Sequence, residues 1–98
     1  MNDDDWPFAD AKNVAVFTTA SVVENGSAIT YVTHDADDGA WQFHGANETG
    51  NIDDARLVAL STIYRLDPSV GSLADLPLGW HAWRATQDAD WVRAESSD

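Results

Sequence analysis

The residues best suited to chemistry lie in one stretch, HDADDGAWQF (34–43), which His44 follows directly. Histidine and aspartate side chains can bind metal ions or carry protons. A calcium loop needs acids at alternating positions, glycine at the sixth position and glutamate at the twelfth. Counting from Asp35 puts Ala40 sixth, and counting from His34 puts Gly45 twelfth. The spacing therefore excludes a calcium loop and favours aspartates that form a turn.

The loop of the predicted hairpin decides which side chains share a face of the sheet. A two-residue loop would place Phe43 opposite His34, whereas a three-residue loop, Asp37-Asp38-Gly39, would place it opposite Thr33. The two loops differ by one residue in register, so changing from one to the other moves every side chain of a strand to the opposite face of the sheet. We favour the three-residue loop, because it gives Gly39 the positive φ of a bulged type I turn. It also collects four large apolar side chains on one face: Ile29, Tyr31, Trp41 and Phe43.

The three-residue loop brings His34 and His44 together on the other face of the hairpin, as diagonal neighbours about 7–8 Å apart. Two histidines close to aspartates are candidate metal ligands, and a small metal-dependent enzyme or metal-binding protein is one hypothesis. A zinc site needs at least three protein ligands, and no third ligand is evident. The favoured interpretation is therefore two polar residues on the solvent face, with no metal and no cofactor.

Searching for catalysis gives no further candidate. The sequence lacks a nucleophile-elbow serine motif, a phosphate-binding glycine loop, a dinucleotide fingerprint and a zinc-protease helix motif. With no cysteine, disulfides and thiolate chemistry are excluded. We expect a protein that is not an enzyme.

The charge limits the classes of partner. Seventeen acids oppose five bases, for a net charge of −12. A nucleic-acid binder needs clustered basic residues, so nucleic acid and anionic membranes are not expected partners. No signal peptide or membrane span is evident, and a cytoplasmic location is expected. The acidic field suits either plain solubility or rapid association with a basic protein.

Turn signals and apolar patterning predict a small α+β domain. We expect a mostly antiparallel sheet of about five strands, near 13–19, 28–35, 40–45, 55–60 and 79–85. One or two short helices should cover one face, the second beginning at Pro68 after the capping residue Asp67. Residues 1–10 are predicted as an acidic tail whose Trp6 and Phe8 dock on the domain, 11–93 as the domain and 94–98 as a second tail. The predicted core is Val16, Ile29, Tyr31, Trp41, Phe43, Val58, Leu60, Ile63, Leu66 and Trp80 or Trp83.

Three segments carry a family resemblance: DDGAWQF (37–43), LSTIYRLDPSVGSLADLP (60–77) and GWHAWR (79–84). Together they resemble a small bacterial family of domains of unknown function, although Ala40 separates the glycine and tryptophan that adjoin in the family pattern. The residues that match the family pattern are ones expected in turns, helix caps and the core, and not in catalysis: Asp37, Gly39, Trp41, Phe43, Asp67, Pro68, Pro77, Gly79 and Trp80.

That family has been grouped with the immunity proteins of polymorphic-toxin systems. The resemblance implies a protein that binds and neutralises a toxin made by the same cell or its kin, and it transfers no catalytic residue. We therefore expect a non-enzymatic protein-binding domain whose partner is a basic toxin domain. An accessory interaction domain without a toxin is a further alternative.

Overall fold

A computed structural model describes residues 6–45 and 52–96 of the chain. Residues 1–5, 46–51 and 97–98 lie outside these ranges, and with them parts of the two predicted tails. The described elements, in chain order, are β1 (Ala15–Thr19), α1 (Ala20–Val23), β2 (Ile29–His34), β3 (Trp41–Gly45), a 3₁₀ turn (Ile52–Asp54), β4 (Ala55–Ala59), α2 (Leu60–Leu66), a 3₁₀ helix (Pro68–Leu73), β5 (Trp80–Trp83) and β6 (Val92–Glu95).

The α+β class is confirmed, and the sheet is larger than predicted. Six described strands lie in the order β4-β1-β3-β2-β5-β6. Four pairings are antiparallel, and β1 with β3 is parallel, so the sheet is mixed. The additional strand is β6, which includes residues 94 and 95 of the predicted C-terminal tail. Val92 and Ala94 alternate with the charged Arg93 and Glu95, but a run of four residues with one β-branched side chain is a weak strand signal.

The core lies on one side of the sheet, beneath both α-helices and the 3₁₀ helix. Its members include Val22 of α1, Ile63 of α2 and Val70 of the 3₁₀ helix. The predicted core residues that are buried are Val16, Ile29, Trp41, Phe43, Leu60 and Ile63. Val58 and Trp80 are partly buried against them. The prediction is wrong for Tyr31 and Leu66, which are exposed, and of the two alternatives Trp80 and Trp83 it is Trp83 that is exposed.

The hairpin uses neither of the two loops considered from the sequence. His34 pairs with Trp41 and Val32 with Phe43, so four residues, 36–39, form the loop. A β-bulge lies between Ile29 and Tyr31, at the end of the hairpin away from the loop. The extra residue resets the alternation, so Ile29 and Val32 both face the core and Tyr31 turns to solvent. The positive φ of Gly39 is confirmed, at 73°.

A buried ion pair joins the sheet to the helical layer. The Arg84 guanidinium donates to Asp67 Oδ2 at 2.6 Å, to the Ile29 carbonyl at 2.9 Å and to Ser69 Oγ at 2.9 Å. The predicted cap is confirmed, because Asp67 Oδ1 accepts the Ser69 N–H at 3.0 Å and Pro68 begins the 3₁₀ helix. The pair therefore ties β2 and β5 to the junction between α2 and the 3₁₀ helix.

Residues 6–10 of the predicted acidic tail lie on the domain. Phe8 is buried in the core and Trp6 packs against it. Asp10 accepts hydrogen bonds from two indole N–H groups, that of Trp6 at its carbonyl (2.7 Å) and that of Trp41 at Oδ2 (2.8 Å). This segment thus closes one edge of the core around Trp41.

Candidate functional site

The two candidate metal ligands lie on opposite faces of the sheet, which corrects their predicted shared face. His34 lies on the core side, where its ring stacks on Trp41 with centroids 3.9 Å apart and its Nδ1–H donates to the Leu76 carbonyl at 2.7 Å. His44 lies on the other side, beside Tyr31. Among the described residues, no group of three or more His, Asp or Glu side chains is placed to hold a metal ion.

Several residues of the resemblance lie where the hairpin ends, whereas Asp67 and Pro68 lie at the junction of α2 and the 3₁₀ helix. Gly79 has a φ of 82°, donates its N–H to the His34 carbonyl at 2.7 Å and comes next to the hairpin residue Ala36. The Pro77 carbonyl accepts the Trp80 N–H at 3.1 Å, which closes a turn over residues 77–80. Gly79 and Trp80 line a cavity of about 500 Å³ with Asp37 of the hairpin loop. Asp37, Gly79 and Trp80 therefore lie where the hairpin loop meets the turn before β5.

The side of the sheet opposite the core forms a second, larger feature, which we call the open face. Four large side chains there are 40–62% exposed, namely Phe17, Tyr31, Leu57 and Trp83. Cross-strand pairing places them on one surface, because residues directly opposite each other share a face. Leu57 pairs with Phe17, Phe17 with Gln42, and Tyr31 with both His44 and Trp83. The surface therefore extends across the sheet from β4 to β5, and Val92 of β6 continues it.

The strands carry their charges on the side opposite the open face. Only three residues of the six described strands are charged, and all occupy core-side positions on the edge strands: Arg56, Arg93 and Glu95. Arg56 pairs with the buried Thr18, and Arg93 with the buried Ala82. A sheet with one solvated face ordinarily carries polar residues there. This sheet instead leaves an uncharged, aromatic-rich surface exposed.

The centre of the open face is a row of four rings, which we call the aromatic ladder: His44, Tyr31, His81 and Trp83. Successive ring centroids are 6.1, 5.9 and 5.2 Å apart. These separations fall in the range of favourable ring contacts. Beside the ladder, His44 Nε2–H donates to Gln42 Oε1 at 3.1 Å, and Gln42 donates to Asp35 Oδ2 at 2.8 Å. Neighbouring side chains thus hold the ladder in place on the surface.

Acidic residues lie beyond the ends of the strands, at the border of the sheet, and we call them the acidic rim. They occur in the segments that lead into or out of β2, β4 and β6: Asp35, Asp37, Asp38, Asp53, Asp54, Asp88 and Asp90. An apolar centre with a polar border is the usual anatomy of a protein interface. The open face and the acidic rim together have that arrangement, and acids outnumber bases in the segments that form the border.

Analysis of the sequence did not identify the open face. Its signal is present in AVFTT, WHAW and ARLVA, where residues of both alternating sets are uncharged or apolar except for one arginine. Strands of this kind are usually covered on both sides. Here the described part of the chain covers only one side, which only the tertiary structure could establish.

Comparison with known proteins gives no relative from which a role could be transferred: no protein-family model, curated protein or solved structure matches this chain. Nor does any helix in residues 6–45 or 52–96 have the length and apolar character needed to cross a membrane. Any proposal of function therefore depends on the site itself.

Proposed function

We propose that this chain is a non-enzymatic protein-binding domain that binds a basic protein through the open face. Its most concrete form is an immunity-type inhibitor that covers a basic site of a toxin. One observation carries the proposal: a protein with a net charge of −12 exposes a six-strand surface without a charged strand residue. Large exposed apolar patches with a polar border mark interaction sites.

The size of the open face favours a partner that also reaches the acidic rim. Six strands of four to six residues, about 4.8 Å apart and rising about 3.3 Å per residue, give a face of roughly 400 Å². A stable interface buries about 800 Å² on each partner. Contact with the open face alone would therefore supply about half of the necessary area. The remainder must come from the border, where the seven carboxylates of the acidic rim attract positive charge.

The same considerations disfavour a second copy of this chain as the partner. Two copies would bring together a net charge of −12 each, with their acidic rims opposed. Like charges across an interface cost free energy, whereas opposite charges accelerate association. A basic protein would gain binding free energy both by burying the apolar centre and by its attraction to the acidic rim.

The test compares two variants that each lose two large exposed apolar side chains. The face variant is Tyr31→Thr/Trp83→Thr, and the control variant is Leu66→Gln/Leu78→Gln, at positions that are 50% and 56% exposed outside the open face. Proteins retained from the source cell by wild type and control but not by the face variant are identified, purified and titrated by calorimetry. Circular dichroism and urea unfolding check that both variants fold.

We expect a basic partner whose Kd rises about 30-fold or more for the face variant, since interface tyrosine and tryptophan residues each commonly contribute more than about 1 kcal/mol. The Kd of the control variant should change less than about threefold. An acidic partner, an equal loss in both variants or a face-independent partner would refute the proposal, as would recovery of no partner from toxin-expressing cells. Sedimentation that shows a dimer abolished by the face variant would assign the face to self-association instead.

A further inference from the structure

The five tryptophans of this chain differ in how their rings are covered. Arg84 Cζ lies 4.1 Å from the centroid of Trp91, and Lys12 Nζ lies 5.8 Å from that of Trp6. Both distances are within the range of cation–π attraction. Trp83 is the tryptophan of the aromatic ladder, and within the described part of the chain no cation lies over its ring. Two tryptophan rings are therefore paired with cations of the chain itself, and the exposed one is not.

None of the five basic residues of the chain lies on the open face. Arg56 and Arg93 occupy core-side strand positions and bind Glu24 and Asp75. Arg84 is buried with Asp67, Lys12 lies by Trp6, and Arg65 belongs to α2 on the core side. A cation over the aromatic ladder must therefore come from another molecule.

The electrostatics of the ladder favour such a cation. Aromatic ring faces carry partial negative charge, and the planar guanidinium of arginine stacks on them. The side chains that flank the ladder on the open face add no positive charge: Gln42 and Phe17 on one side, Val92 and Ala94 on the other. The acidic rim adds a negative field in which a cation approaching the ring faces is attracted from a distance.

We infer that the aromatic ladder binds an arginine side chain of the partner, stacked on the rings of Trp83 and Tyr31. This inference rests on the proposed function, because it specifies which chemical group of a basic protein occupies the centre of the open face. It also predicts that lysine binds more weakly than arginine, since an ammonium group cannot stack as a plane.

The experiment uses capped tripeptides, Gly-Arg-Gly and Gly-citrulline-Gly, so no natural partner is needed. Citrulline has the shape of arginine without its charge. Each peptide is titrated into the full ¹⁵N-labelled chain, and the indole N–H signals of all five tryptophans are followed by NMR. Trp83→Leu removes the ring while keeping an apolar side chain, and Leu66→Gln is the control at a site outside the open face.

We expect the arginine peptide to shift the Trp83 signal first, with binding about two- to fivefold weaker for Trp83→Leu, as a solvent-exposed cation–π contact provides. The citrulline peptide should bind more weakly still, and Leu66→Gln should bind as wild type. Equal binding of both peptides, or shifts spread over the acidic rim that Trp83→Leu leaves unchanged, would overturn the inference. The inference would also be refuted if a natural partner needs the open face for binding but the arginine peptide does not shift the Trp83 signal. That result would leave the proposed function intact.

Discussion

Removing Arg84 should cost this domain a large fraction of its stability. The side chains of Arg84 and Asp67 are 1% and 9% exposed, and their charges are 2.6 Å apart. Arg84→Met keeps the apolar stem but deletes three hydrogen bonds, those to Asp67, Ser69 and the Ile29 carbonyl. The Asp67 carboxylate then stays buried without its cation, and the Ile29 carbonyl loses this donor.

The magnitude follows from that uncompensated charge. Breaking a buried ion pair by removing one partner costs about 3–5 kcal/mol. A small domain has about 5–15 kcal/mol in total, so Arg84→Met should remain folded but close to its limit. With a urea dependence of about 1.5 kcal/mol per molar, the unfolding midpoint should fall by roughly 2–3 M.

The assay is urea unfolding followed by tryptophan fluorescence and far-UV circular dichroism. The double variant Arg84→Met/Asp67→Leu removes both charges, so it should lose less free energy of unfolding than the two single variants together. Every variant with Asp67→Leu also loses the helix cap, which costs about 1 kcal/mol. Arg93→Met is the matched control, since it breaks an exposed pair with Asp75 and should cost at most about 1 kcal/mol.

Two results would refute this reasoning. One is a loss for Arg84→Met no greater than that for Arg93→Met. The other is a double variant whose loss equals the sum of the two single losses, because independent contributions would mean that the two charges do not stabilise each other.

Three further predictions concern single positions. Gly39→Ala should destabilise the domain by about 1 kcal/mol in urea unfolding, because alanine is strained at a φ of 73°, and an unchanged midpoint would contradict this. Thr33→Val should be neutral or stabilising, because the buried Thr33 hydroxyl oxygen has no hydrogen-bond partner among the described residues; a clear loss of stability would show that one exists. The Arg56 guanidinium, by its hydrogen bond, lowers the pKa of the Glu24 carboxyl, so Arg56→Gln should return that pKa toward its ordinary value in an NMR titration. Because the pKa of Glu24 is lower in the folded chain than in the unfolded chain, its carboxylate stabilises the fold at a pH above the unfolded pKa. This stabilisation is lost as the pH falls through the folded pKa. The stability of Arg56→Gln should therefore fall less steeply with acid than that of the wild type.

Local patterns were sufficient where neighbouring residues decide the conformation. Asp67 followed by Pro68 predicted a capped helix start, and the structure confirms it. Gly39 was expected to take a positive φ, and it does. In both cases the determining contacts lie within a few residues of the chain, so the sequence contains the necessary information.

The hairpin register could not be predicted from alternation alone. Alternation from Ile29 puts Tyr31 on the same face, but the bulge between them brings Val32 into the core. The register is fixed at a distance, where His34 stacks on Trp41 and donates to the Leu76 carbonyl, 42 positions along the chain. The predicted register reversed the faces of β2 from Tyr31 onward. It therefore placed His34 beside His44 and assigned Tyr31 to the core.

The sequence by itself determined the class of the domain, the position of five of its strands and the helix cap, because composition and local spacing govern these. Only the tertiary structure decided which face of each strand is covered. That choice depends on the bulge, the parallel pairing of β1 with β3 and the buried Arg84–Asp67 pair, all of which join distant segments. The open face and its aromatic ladder come from the same long-range contacts, which is why the sequence alone did not indicate them.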